Sequence, residues 1–216
     1  MNYWGICQQL AEGMLTTMLI FALTLIFSLP LGLFVCFGKK SRFAPLRWFI
    51  NVYISVMRGT PLMLQLLVVF FGPYYIFGVR LSPEWRFSAL IIGFVINYAA
   101  YFAEIYRGGI ESIPKGQYEA AQVLGYGKAQ TFVKIIMPQM IKRVIPPVTK
   151  EVITLVKDTS LGFVLSYMEM FTIAKQLAAQ QSNISPLLVA GVFYYVANVI
   201  VAYAMRKLEK SLDYYR

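Results

Sequence analysis

The stretch MLTTMLIFALTLIFSLPLGLFVCF, residues 14–37, decides what kind of protein this is, because none of its residues carries a charge. An uncharged apolar stretch of about 18 or more residues is long enough to cross a lipid bilayer as a helix. Further uncharged stretches occupy residues 59–79, 87–103 and 176–205. Only 14% of the 216 residues are charged, against about 25% in ordinary soluble domains. We therefore predict an all-α, polytopic membrane protein.

The positions of the basic residues predict how the chain crosses the membrane. Basic loops of polytopic membrane proteins tend to stay in the cytoplasm. Lysines and arginines cluster in residues 39–58, 107–143 and 206–216, whereas residues 1–13 contain none. This pattern predicts an outside N-terminus, a cytoplasmic C-terminus and an odd number of spans. A fifth span must then lie within residues 145–170, although this segment contains several charged side chains.

The expected architecture is a single transmembrane domain over residues 1–216 with five membrane-spanning helices. We also expect an amphipathic helix at the cytoplasmic interface, over residues 43–57, and a short cytoplasmic helix over about residues 116–125. The spans are expected at about residues 12–38, 58–79, 84–106, 145–170 and 185–206. Because the chain has no His and no phosphate-binding loop motif, it lacks the commonest metal ligand and the usual nucleotide-binding sequence.

Residues 112–125, with the sequence SIPKGQYEAAQVLG, form a polar interruption in this apolar chain. Gly125 suits the left-handed backbone conformation that commonly follows the end of a helix. The segment before it combines apolar side chains at every third position with small ones that leave the backbone accessible: Tyr118, Ala120, Ala121 and Leu124. On composition alone, a helix that docks on another protein and a plain solvated helix are equally good interpretations.

The order of three motifs resembles one family of membrane proteins. Glu119-Ala120-Ala121, followed by Gly125, Ile135 and Met137-Pro138, is similar to the EAA loop of ATP-binding cassette importer permeases, with Met137 where Leu is more usual. Arg58-Gly59-Thr60-Pro61 with Gln65, and Lys157-Asp158-Thr159-Ser160-Leu161, resemble motifs of the polar amino acid branch, which includes histidine, arginine and glutamine permeases. The resemblance covers nearly the whole chain.

This resemblance implies a permease subunit in the bacterial inner membrane, and not an enzyme. Its EAA helix would insert into a groove of a separate ATPase subunit, which uses ATP and Mg²⁺, while this chain binds no cofactor, metal or nucleic acid. The other implied partners are a second permease, identical or paralogous, and an extracytoplasmic amino-acid-binding protein. The implied coupling residues are Gln117, Glu119, Ala120, Ala121, Leu124 and Gly125. The implied gating or structural residues are Arg58, Gly59, Thr60, Pro61 and Gln65.

Polar side chains at helical spacing mark a candidate substrate pathway. Residues three or four apart share one face of a helix, which groups a polar set in the third span and another in the fourth. The candidate pathway residues are Asn97, Tyr101, Glu104, Thr154, Asp158, Thr159 and Ser160. Two alternatives stay open, because Glu104 could pair with Arg107 and Asn97 could form an interhelical hydrogen bond.

The acidic side chains on these faces favour a cationic amino acid as the substrate. One carboxylate would compensate the α-ammonium group, and a second, among Glu104, Glu151 and Asp158, would compensate a cationic side chain. Lys150 and Lys157 could instead neutralise these acids within the protein. The alternative function is a self-contained, ion-coupled transporter or channel, which the odd number of spans and the lack of an internal repeat disfavour.

Overall fold

The structure is a computed structural model that describes residues 3–212, with only the backbone described for residue 3. Within that range every regular element is helical. The α-helices are α1 Tyr3–Lys39, α2 Ala44–Gly59, α3 Leu62–Phe77, α4 Trp85–Glu111, α5 Lys115–Val123, α6 Lys128–Thr131, α7 Met137–Asp158, α8 Met170–Gln180 and α9 Ser185–Ser211. A π-helical turn, Phe132–Ile136, precedes α7, and a 3-10 helix, Thr159–Leu165, follows it.

Length and composition identify which of these helices can cross a membrane. In the described part of the chain, α1, α4 and α9 are long and apolar enough to do so. The pair α2 and α3 passes the same test when taken together, although the two helices are bent by 116°. The prediction of an all-α, polytopic protein is therefore confirmed with three or four spans, and α7 is not among them on composition.

Prolines affect the helices of two predicted spans in different ways. The segment expected at residues 145–170 is already helical from Met137, because Pro146 and Pro147 lie inside α7 and do not begin it. The segment expected at residues 58–79 begins with the last residues of α2, is interrupted at Thr60 and Pro61, and is helical again from Leu62. Thr60 there has an extended backbone, with ψ at 151°, as expected for a residue that precedes a proline.

Helix α4 is the centre of the bundle and packs against α1, α2, α3 and α7. Glycines allow two of these crossings to be close. A Cβ atom added at Gly32 of α1 would lie 2.8 Å from the Cβ of Phe102, and one added at Gly109 would lie 2.3 Å from Cγ2 of Val144 in α7. Small residues at crossings are a common means of packing membrane helices closely. Helix α4 therefore brings its polar side chains next to α7 and the α2–α3 break.

A fully buried carboxylate attaches α8 to the rest of the bundle. Glu169 caps α8 by accepting hydrogen bonds from the backbone N–H of Thr172 at 2.6 Å and from the hydroxyl of Tyr194, in α9, at 3.1 Å. On the other side, the N–H of Met170 donates to Oγ1 of Thr17, in α1, at 3.2 Å. Glu169, which the sequence shows only as one more charge near a span, thus links α8 to α9, and the neighbouring Met170 links α8 to α1.

Candidate functional site

The break between α2 and α3 leaves a backbone carbonyl without its helical partner. Pro61 has no N–H, so it cannot donate to the carbonyl of Met57, four residues earlier. Two side chains replace this donor. Nε2 of Gln65 donates to Met57 O at 2.9 Å, and Nδ2 of Asn97 donates to it at 3.1 Å. Asn97 Nδ2 also donates to Oε1 of Gln65 at 2.8 Å, so α2, α3 and α4 are joined at one carbonyl.

Asn97 therefore lies inside the protein and not on a surface that a substrate could contact. Only 4% of it is exposed, and the interhelical hydrogen bond left open by the sequence is the interaction that the structure shows. Thr60 completes the same network, because Gln65 Nε2 donates to its hydroxyl oxygen at 2.8 Å and the Thr60 hydroxyl donates to Val56 O at 2.8 Å. These residues stabilise the extended backbone between α2 and α3.

Glu104 is the centre of an ion cluster that joins three helices. Nη2 of Arg107 lies 2.8 Å from Oε2 of Glu104, and Nζ of Lys39, at the end of α1, contacts Oε1. Arg58, at the end of α2, approaches the same carboxylate to 3.9 Å and lies 5.4 Å above the ring of Tyr101. The pairing of Glu104 with Arg107 that the sequence left open is thus present. With three cations around it, Glu104 is poorly placed to compensate a substrate charge.

Asp158 has a different environment from that of Glu104. Its Oδ2 accepts a hydrogen bond from the hydroxyl of Tyr98 at 2.7 Å, and Tyr98 is only 2% exposed. In the described part of the chain, every ion pair within 4.0 Å involves Glu104 or Glu111. Lys157 therefore does not form an ion pair with Asp158. Tyr98 was missed in the sequence, although its position three residues before Tyr101 indicated a shared face.

The face of α7 that bears Asp158 carries two more of the polar residues that helical spacing had grouped together. Glu151 and Thr154 precede Asp158 by seven and four residues and are partly buried. Neither lysine next to an acid on this helix, Lys150 or Lys157, lies within 4.0 Å of an acidic oxygen in residues 3–212. The face of α7 that meets α4 therefore has an acidic character.

Thr159 and Ser160 do not join this acidic face. The Thr159 side chain is fully buried, and its hydroxyl donates to the carbonyl of Val156 at 2.7 Å. Ser160 and Lys157 line a separate cavity of about 390 Å³ that is bounded by residues of α8 and α9, including Tyr194. The Lys157–Leu161 motif is thus divided, with Asp158 towards α4 and Lys157 towards α9.

Helix α5, Lys115–Val123, forms within the segment where a short helix was predicted, and nearly all of it is exposed. The most exposed apolar side chains are Val123, at 88%, and Leu124, at 73%. Partial burial raises the pKa of the Tyr118 hydroxyl above that of an exposed tyrosine. Ala121, expected on the docking face, is only 1% exposed. Ala121 faces the protein's own interior because α5 packs against α6 and the π-helical turn.

One contact connects α5 to α7, and a second connects α7 to the residue that caps α4 just before α5. Nε2 of Gln139, in the first turn of α7, donates to Oε1 of Gln117 at 3.3 Å. The guanidinium of Arg143 donates to the carbonyl of Ser112, just before α5. Gln117, expected to meet a partner, thus contacts α7. At the other end, Gly125 has a φ of +80°, a left-handed conformation that favours glycine. The chain can therefore turn sharply after α5.

These features define a class of protein: the membrane component of a transporter that another subunit energises. The chain is a helical membrane bundle without a nucleotide-binding loop motif, and its exposed helix contacts a helix with a polar inner face. The family model described as binding-protein-dependent transport system inner membrane component matches residues 28–214, so the chain belongs to that family. It is a multi-pass permease of the inner membrane that works with a binding protein and a separate ATPase.

Known relatives cover nearly the full length of the chain. The arginine transport system permease protein ArtQ of Bacillus subtilis (strain 168) is 36% identical over 202 residues, which cover 93% of this chain and 91% of ArtQ. The L-cystine transport system permease protein TcyB of the same organism is 34% identical over 221 residues, covering 98% and 92%. A crystal structure of an amino acid ABC transporter with histidines has a TM-score of 0.86 and 28% identity, with 94% of each chain covered.

Family membership decides two questions that the sequence had raised. Permease subunits of this family are not catalytic, because ATP is hydrolysed by a separate subunit. The expectation that the chain is not an enzyme is therefore confirmed. The alternative of a self-contained, ion-coupled transporter or channel does not agree with a family whose members depend on a binding protein.

We expect Gly125→Val to uncouple ATP hydrolysis from transport while the protein still reaches the membrane. A β-branched residue at a φ of +80° is strained by roughly 1–2 kcal/mol or more, so the turn after α5 should be displaced. Substrate-stimulated ATPase activity and uptake should be measured in the reconstituted transporter.

Gly127→Val is the matched control. Gly127 has an extended backbone, with φ at −68°, and an added Cβ would meet nothing within 4 Å. Val should therefore be tolerated at this position. Normal coupled transport by Gly125→Val would show that the turn after α5 has no role in coupling.

Proposed function

We propose that the chain is the permease subunit of an ATP-driven importer of polar, cationic amino acids. It lines the substrate pathway together with a second permease subunit, and the pathway opens alternately to each side of the membrane. A separate ATPase subunit binds ATP and Mg²⁺, and an extracytoplasmic protein delivers the amino acid. The observation that carries this proposal is the exposed helix α5, which contacts α7, the helix that bears Asp158.

The contacts of α5 support a mechanical route from the ATPase to the pathway. Val123 and Leu124 present an exposed apolar surface to a partner, with Glu119 beside it as a charged contact. Gln117 and Ser112 connect the same segment to Gln139 and Arg143 of α7. A movement of α5 is therefore passed directly to α7. Binding of ATP biases the permease by favouring one of its two states over the other.

We further propose five spans, with α7 as the fifth, an outside N-terminus and a cytoplasmic C-terminus. Helix α7 has 22 residues, and at 1.5 Å per residue it is about 33 Å long, enough to cross the apolar core of a bilayer. It packs between α4 and α9, so its polar residues can face protein or a watery pathway. Ionisable residues in membrane spans usually have that placement.

A cationic substrate suits the acidic face of α7. An unpaired carboxylate in a span costs about 2.5–3.5 kcal/mol or more, and Asp158 has the Tyr98 hydroxyl as a hydrogen-bond donor but no ion pair within the described residues. Glu151 shares this face. Glu104, by contrast, already has three cationic neighbours. We therefore assign the substrate's positive charges to Asp158 and Glu151, with Tyr101 and Thr154 nearby.

The relatives bear on this choice of substrate. ArtQ is named as an arginine permease, which agrees with a cationic substrate. TcyB is named for L-cystine, and several Rickettsia relatives are named as putative glutamine permeases, so related chains carry amino acids of different charge. The preference for a cationic amino acid therefore rests on the acidic face of α7.

The proposed topology predicts which positions react with a membrane-impermeant thiol reagent. Single cysteines at Pro83 and Gln181 should be labelled from outside, and those at Lys128 and Lys207 only after the membrane is opened. The background should lack both native cysteines, which are free thiols. Labelling of position 128 in intact cells would contradict the five-span arrangement.

Asp158→Asn should reduce uptake of arginine or lysine at least about 30-fold. Removing one member of a buried charge pair typically costs about 2–5 kcal/mol, so a cationic substrate loses part of its compensation. Uptake should be measured in proteoliposomes with the complete transporter and its binding protein, and assembly should be checked by size-exclusion chromatography.

Glu111→Gln is the control for this experiment. It makes the same acid-to-amide change at a half-exposed carboxylate whose ion pair is with Arg107, so uptake should stay near the wild-type rate. If Asp158→Asn transports arginine normally, or if the wild-type complex carries glutamate but not arginine, the charge assignment is wrong.

A further inference from the structure

A basic cavity lies between α7 and α9, away from the acidic face of α7. Its volume is about 440 Å³. Among residues 3–212, the cationic side chains that line it are Lys142 of α7 and Arg206 and Lys210 of α9, and the acidic one is Glu209. The charges of these four side chains sum to +2. None of the polar contacts described above for the break, the ion cluster or α5 uses Arg206 or Lys210.

The position of this cavity along α9 corresponds to the membrane surface. The uncharged stretch of residues 176–205 ends directly before Arg206, so the cationic side chains lie at the boundary between hydrocarbon and lipid headgroups. Only 6% of the apolar window of α9 is buried inside the protein, and lipid can therefore approach this helix. The remaining lining residues, Ile145, Pro146 and Leu212, are apolar and suit the first methylene groups of an acyl chain.

The charges of Arg206 and Lys210 are available to an external anion. Within residues 3–212, no ion pair within 4.0 Å involves Arg206 or Lys210. A guanidinium recognises phosphate oxygens through two parallel N–H donors, and an ammonium binds them as a point charge. Basic pockets between membrane helices at the cytoplasmic side are suited to anionic lipid headgroups.

We propose that this cavity binds the phosphate of an anionic phospholipid, with Arg206 and Lys210 as its main ligands and Lys142 adding charge. The positive charges of Arg206 and Lys210 favour a headgroup that is anionic as a whole. A zwitterionic headgroup carries an ammonium that the same side chains repel. An anionic phospholipid and inorganic phosphate both carry a phosphate group, but the apolar lining residues favour the lipid. The proposal depends on the membrane location of the chain and not on its substrate.

Lipid retention by the complete purified transporter tests this site. The complex should be loaded with phosphatidylglycerol or phosphatidylcholine in detergent, and bound lipid counted by native mass spectrometry. Each basic residue near a membrane surface contributes about 1 kcal/mol to the binding of anionic lipid. The double variant Arg206→Gln, Lys210→Gln should therefore bind phosphatidylglycerol roughly 30-fold more weakly than the wild type.

Two control variants separate the site from general charge and from folding. Lys128→Gln with Lys134→Gln removes the same charge from exposed residues that lie outside the cavity, in α6 and the π-helical turn, and this variant should retain the lipid. Arg206→Lys with Lys210→Arg keeps the cavity charge and should also retain it. If the cavity double variant binds phosphatidylglycerol as well as the Lys128, Lys134 variant does, the site does not exist.

The same experiment distinguishes a lipid phosphate from inorganic phosphate. Millimolar inorganic phosphate should leave bound phosphatidylglycerol in place, and phosphatidylcholine should be retained equally poorly by the wild type and the cavity variant. Displacement of the lipid by inorganic phosphate would refute a lipid site in favour of a free-anion site. Equal retention of the two lipids by the wild type would refute selection by charge.

Discussion

The carbonyl of Met57 is the constraint on which much of this structure depends. Pro61 removes the N–H that would have bonded to it, and a buried carbonyl without a hydrogen-bond partner is costly. Asn97 and Gln65 supply the missing donors from α4 and α3. The break is thereby fixed, and Arg58, at the end of α2, is held beside Glu104 and above Tyr101. A proline in one helix thus determines the neighbours of polar residues in another.

The polar residues on and around α4 fall into two groups: those that stabilise the structure and those proposed to bind the substrate. Asn97 and Glu104 belong to the first group, because both have their partners within the protein. Tyr98, by donating to Asp158, connects α4 to the acidic face of α7. Helix α7 in turn contacts α5. The residues proposed to bind the amino acid and those proposed to meet the ATPase therefore lie on one continuous helix and its immediate neighbour.

The sequence predicted the helical membrane class and the position of α5, because long uncharged stretches and a glycine in a left-handed turn are local features. It did not predict the orientation of Asn97 or Ala121. Helical spacing assigns residues to a common face, but only the packing of neighbouring helices decides whether that face is buried. The sequence also did not show that α7 continues upstream of residue 145: two prolines usually end a helix, yet neighbouring helices can stabilise them inside one. The contact of Tyr98 with Asp158 could be predicted only by knowing which helix packs against α7.

The central claim is that hydrogen bonds of Asn97 hold the break between α2 and α3. The stability of the Asn97→Leu variant tests it most directly, with Asn198→Leu as the control. Asn198, in α9, has a buried Oδ1 without a hydrogen-bond partner in the described part of the chain. Thermal unfolding of the purified complex should show a loss of about 1–3 kcal/mol for Asn97→Leu, because the Met57 carbonyl and Gln65 each lose a partner, and little change for Asn198→Leu. Equal stability of the two variants, with normal uptake by both, would contradict the account.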